Sequence, residues 1–154
     1  MKILKNILIG FGVLFVAIIG LIVFLSADSS AFEEKQAPFI SGFMNEFSES
    51  WEVTSVHATL SNGLLKQIDS PTGRNAMDMF RRLGSFVQMT DLVLQNYNTS
   101  TSGKTGQFTF KGQFTHGPAL VEITLVENDG KTLVNRLHIT PAGELPPTNT
   151  KHEA

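Results

Sequence analysis

Hydrophobic and polar positions change their spacing along this chain in a way that divides it into an anchor, a helical stretch and a stretch of strands. The run Ile7–Leu25 is nineteen residues with no polar side chain. At about 1.5 Å rise per residue a helix of that length spans about 28 Å, close to the roughly 30 Å hydrocarbon core of a bilayer. Only a helix satisfies its own backbone in lipid, so the run is expected to be a transmembrane helix, with Ile7, Phe11, Phe15, Ile19 and Phe24 among its membrane-anchor residues. Residues 26–36 are small and polar and read as a tether or the entry to a helix.

Beyond the tether, Phe39, Ile40, Phe43, Met44 and Phe47 form one apolar stripe at helical spacing, with Pro38 suited to the first turn. Val53, Val56, Leu60, Leu64 and Ile68 form a second helical pattern that Asn62-Gly63 interrupts. Trp51 lies between the two as a core anchor at the junction. A third, short helix is expected on Ala76, Met77, Phe80 and Leu83, started by Asp69-Ser70-Pro71-Thr72-Gly73 and capped by Gly84. Arg74, Arg81 and Arg82 fall on its outer side.

After residue 85 the period shortens. Phe86 to Asn96 is rich in β-formers with imperfect alternation, and Asn98–Gly106 reads as a flexible hairpin tip. Phe108, Phe110 and Phe114 alternate with polar residues as a half-buried strand. Gly112 takes the inward slot between two of them, which implies a bulge or a close approach. Val121, Ile123 and Leu125 face one way on the next strand, and Asn128-Asp129-Gly130 is a strong hairpin turn. In the last strand Leu133, Leu137 and Ile139 are expected on one face and Val134, Arg136 and His138 on the other. The tail 141–154 holds three of the 6 prolines and little that is apolar, and is expected to be disordered.

Segregated helices and strands predict an α+β domain over 37–140, two to three helices packed on a four-stranded antiparallel sheet. With the closing hairpin Val121–Thr140 and the step Phe80–Phe86, the order resembles the cystatin-like and nuclear transport factor 2-like superfamily, including its small membrane-anchored bacterial members. That resemblance is architectural and implies the fold; no functional residue comes with it.

Composition and charge settle the orientation. Lys2 and Lys5 precede the apolar run, whereas Asp28, Glu33 and Glu34 follow it. Basic residues stay cytoplasmic, so the lead 1–6 is expected inside and the domain outside, in the periplasm or on the surface of a bacterium. A cleaved signal peptide is the competing reading, with Ser29-Ser30-Ala31 as a passable cleavage sequence, but its apolar region should be only about 7–15 residues long. The low charged fraction of 17% belongs to the apolar run; the rest of the chain carries an acidic excess that argues against nucleic acid as a partner.

Candidate chemistry is sparse. There are 0 cysteines, which excludes disulfides, thiolate zinc sites and a cysteine nucleophile. The four histidines, His57, His116, His138 and His152, lack ligand spacing, so no metal and no cofactor is expected. Gly103-Lys104-Thr105 lacks the upstream glycine and following helix of a phosphate loop, and no Gly-x-Ser-x-Gly elbow occurs. Asn98-Thr99-Ser100 fits a glycosylation sequon, meaningful only in a eukaryotic host. Asp91, Tyr97, Arg136 and His138 are the polar groups that could line a pocket. Two functions follow: an anchored extracytoplasmic module binding an envelope protein or small ligand, or a small acid–base enzyme of isomerase or lyase type built on those four residues.

Overall fold

The computed structural model describes the backbone of residues 2–146 and the side chains of 26–146. Its elements are α1 (Lys2–Ser50), α2 (Val53–Val56), a 3-10 turn (His57–Thr59), α3 (Asn62–Asp69) and α4 (Pro71–Leu83), followed by β1 (Phe86–Ser100), β2 (Gly103–Phe114), β3 (Gly117–Asn128) and β4 (Lys131–Pro141). The fold is α+β, with a four-stranded antiparallel sheet in the order β1-β2-β3-β4. The chain divides into two units, Met1–Gln36 and Ala37–Ala154. In the first, residues 26–36, expected as tether or helix entry, are helical. The run 7–25 lies outside the residues whose side chains are described; among the described residues no helix is long and apolar enough to cross a membrane.

In the second unit, Pro38 sits inside α1 and not in its first turn, because the helix begins far upstream. Of the expected apolar stripe, Ile40, Phe43, Met44 and Phe47 are buried, while Phe39 at its margin is half-buried. Trp51 then ends the helix with φ 53°, donating its backbone N–H to Phe47 O at 2.8 Å. A left-handed residue after a helix is usually glycine, because a Cβ costs about 1–2 kcal/mol there. Trp51 tolerates the position because its indole is buried against Phe47, Phe80 and Phe114 and donates Nε1–H to Gly84 O at 3.0 Å.

The second helical pattern is split, as Asn62-Gly63 implied, into α2, the 3-10 turn and α3. Ser61 Oγ accepts from Leu64 N–H at 3.1 Å and Ser70 Oγ accepts from Gly73 N–H at 3.1 Å, so each later helix starts on a serine cap. Gly84 closes α4 at φ 77°. That helix end is fixed to the β2–β3 turn: His116 N–H reaches Leu83 O at 3.0 Å, and His116 Nδ1–H donates to Arg82 O at 2.9 Å.

The inner sheet face is buried through Phe108, Phe110 and Phe114 on β2 and Val121, Ile123 and Leu125 on β3. Gly112 keeps regular pairing, and a Cβ there would meet the Phe114 ring at 2.8 Å, so the close approach is realised without a bulge. Two expectations, for the faces of β4 and for residues 98–106, are corrected by the register. Asn135 is an extra residue on β4, since Leu125 pairs with Val134 but Thr124 pairs with Arg136. This bulge brings Val134 to the inner face with Leu137 and Ile139, and puts Leu133 opposite Val126. Irregularities between Phe86 and Gln88, Thr90 and Val93, and Leu94 and Asn96 account for the imperfect alternation of β1. Asn98–Gly106 is not a long loop: Asn98 pairs with Thr105 and Ser100 with Gly103, leaving a two-residue turn.

The free edge of β4 is partly covered, since Ser61 N–H donates to Val134 O at 2.9 Å and Leu60 bridges Val134. Past β4 the chain stays attached through residue 146. Ala142 N–H donates to Pro118 O at 3.0 Å, and the Arg82 guanidinium donates to Leu145 O and Pro146 O at 3.0 and 2.7 Å. The rest of the tail expected to be disordered, 147–154, lies outside the described residues.

Candidate binding site

Two kinds of apolar packing coexist beneath the helices. On one side the rings of Phe47, Trp51, Phe114, Phe86 and Phe110 follow one another with centroid separations between 5.3 and 6.5 Å. Beyond Phe47, which borders both, the side chains of α3, α4 and β4 leave a cavity of about 240 Å³. Leu64 and Ile68 contribute from α3, Ala76, Met77 and Phe80 from α4, and Leu137 from β4. The local cause is visible in the sequence. Gly73 brings the start of α4 so close to the end of α3 that a Cβ would meet Gln67 O, while Ala76, one turn on, is too small to fill the space that opens behind it. Gln67, Thr72 and His138 supply the polar part of the wall.

Around the β4 edge lies a second, polar pocket of about 280 Å³, lined by Gln107, Glu122, Thr124 and Arg136 together with Gln67, Leu137 and His138. The last three residues also line the apolar cavity, so the two spaces share a wall. Glu122 is the direct cross-strand partner of His138, and Arg136 is its diagonal neighbour, within reach of a long side chain. Among the described residues no hydrogen bond or ion pair engages the side chains of Glu122, Arg136 or His138.

Of the four polar residues singled out in the sequence, Arg136 and His138 therefore come together, both exposed on the outer face of β4. Asp91 does not join them. It occupies an irregular point of β1 at φ 54°, exposed, with its carboxylate 2.9 Å from Lys111 Nζ. Tyr97 is half-buried and pairs with Gly106, on the sheet face opposite Arg136. Neither lines the polar pocket. The apolar cavity residues were read from the sequence as ordinary core, because a stripe such as Leu60, Leu64 and Ile68 looks the same whether or not the space behind it is filled. Glu122 was missed as well: regular pairing counted back from the Asn128-Asp129-Gly130 turn would set it opposite Leu137, and only the extra residue Asn135 brings it opposite His138. Among the described residues there is no group of three or more His, Asp or Glu side chains placed to hold a metal ion. Comparison with family models, with curated proteins and with solved structures finds no match to this chain.

Proposed function

We propose that the chain is a single-pass protein of the bacterial cytoplasmic membrane that holds a binding module on the extracytoplasmic side. The observation that carries this reading is the uncharged run Ile7–Leu25 with Lys2 and Lys5 before it and Asp28, Glu33 and Glu34 after it. The order of four α-helices followed by a four-stranded antiparallel meander supports a cystatin-like, nuclear transport factor 2-like domain behind the anchor. Tethering confines such a domain to the membrane surface, raising its effective concentration toward a small ligand or an envelope protein held there.

Binding is favoured over acid–base chemistry because the carboxylate of Asp91 and the phenol of Tyr97 stand apart from Arg136 and His138. A cavity walled by leucine, isoleucine and methionine with a few polar groups at its margin has the composition of a ligand pocket. The test is extraction of native membranes with alkaline carbonate, followed by mass spectrometry of the mature N-terminus. Retention in the pellet with residues 7–25 intact supports the anchor, whereas release of a chain beginning at Phe32 contradicts it. Crosslinking in the same membranes then asks whether an envelope protein is held.

A further inference from the structure

The shared wall of the two pockets suggests one ligand with two chemically different parts. The apolar cavity, about 240 Å³, exceeds the roughly 150 Å³ that accommodates a benzene ring. It is smaller than the roughly 300–1,000 Å³ of pockets that enclose whole drug-sized ligands. It therefore suits a length of one hydrocarbon chain and not two. The polar pocket beside it presents one cation, Arg136, and one carboxylate, Glu122, on adjacent rows of the outer sheet face. Neither spends its charge on a neighbour within the described residues. A purely anionic head would meet Glu122, and a purely cationic head would meet Arg136. A zwitterionic head satisfies both, its phosphate on the guanidinium and its ammonium on the carboxylate.

Gln67, Leu137 and His138 border both spaces, so a chain that leaves the cavity past these residues, around the β4 edge, reaches the polar pocket. Strand β4 is the last strand of the sheet, and its bridge to Leu60 lies at Val134, clear of this point. We propose that this edge binds a single-chain zwitterionic amphiphile of the lysophospholipid class, with its chain between α3 and α4 and its head at Arg136 and Glu122. This rests on the reading of the chain as an anchored binding module, and names the ligand of that module.

The full chain in membrane vesicles is irradiated with lysophosphatidylcholine carrying a diazirine at the end of its acyl chain, and labelled residues are mapped by mass spectrometry. Fatty carboxylate and alkyl trimethylammonium probes of the same length run in parallel. Residues 7–25 act as an internal reference, because an anchor in the bilayer is labelled by every probe. The proposal expects added labelling at Leu64, Ile68 or Met77, strongest with the zwitterion. It expects at least about a tenfold loss for Arg136→Glu, whose reversed charge repels the phosphate. Ala76→Phe, which fills the cavity, should abolish domain labelling while leaving the anchor labelled. Arg136 is exposed, so its variant keeps the test valid if the larger side chain at 76 impairs folding.

Labelling confined to 7–25 overturns the amphiphile site and leaves the anchored module standing. Cavity labelling equal for all three heads, or unchanged in Arg136→Glu, overturns the head-group assignment. Absence of label from 7–25 contradicts the anchor itself, and the two failures are thereby told apart.

Discussion

The two sides of the domain interior make similar use of apolar residues to different ends. Around Trp51 and Phe114 the rings are in edge or tilted contact, and even a Cβ at Gly112 has no room. Between α3, α4 and β4 the side chains are mostly apolar, yet they leave about 240 Å³ open. The first side carries the stability of a domain that has neither disulfide nor, among its described residues, a metal cluster. The second is open at its margin, where Gln67, Thr72 and His138 are exposed. The difference distinguishes residues that hold the fold from residues that are available to a ligand, with Phe47 and Phe80 serving both.

The largest test of that contrast is Phe114→Ala, which removes a ring touching both Trp51 and Phe86 and should cost about 3–5 kcal/mol in denaturant unfolding of the full chain in detergent. A loss below about 1 kcal/mol would mean that the aromatic side is not the core. Added volume should then have opposite signs on the two sides. Gly112→Val drives a methyl group into the Phe114 ring and should destabilise by about 1–3 kcal/mol. Ala76→Leu places its methyls in the cavity and should stabilise by about 0.5–2 kcal/mol in the same assay. Equal losses from both would erase the contrast.

Ser48→Ala probes how α1 is fixed to the packed side. The buried Ser48 hydroxyl accepts from Phe86 N–H at 2.7 Å, and its removal leaves that N–H unpaired at a cost of about 1–3 kcal/mol. The smallest effect is expected at Arg82→Ala, which releases the carbonyls of Leu145 and Pro146. Global stability should move by no more than about 0.5 kcal/mol, while limited proteolysis near Leu145 becomes faster. Unchanged cleavage would mean that the guanidinium does not hold the tail.

Much of the architecture was legible because its signals are local. The stripe from Ile40 to Phe47, the serine at position 70 before Pro71, the glycine at 84 and the Asn128-Asp129-Gly130 turn each act through their own neighbours, and each appears where the sequence placed it. Misreadings arose where a partner strand decides. The extra residue Asn135 is invisible without knowing that Leu125 faces Val134, and it reversed the expected place of Val134. Residues 98–106 have the Ser, Thr and Gly composition of a loop, but pairing with a neighbour extends the strands through them. The candidate site was legible only in part for the same reason. Arg136 and His138 were visible as polar groups on a strand, whereas the cavity behind them depends on how closely Gly73 draws two helices together.

Xenon binding, followed through the methyl resonances of the full chain in detergent, tests the contrast most directly. Xenon enters dry apolar cavities and has no room in close-packed ones. Shifts at the methyls of Leu64, Ile68 and Met77, with those of Leu83 and Val121 unmoved, are the expected result. Shifts spread evenly over both groups, or absent from both, would contradict the division of the interior into a packed side and an open one.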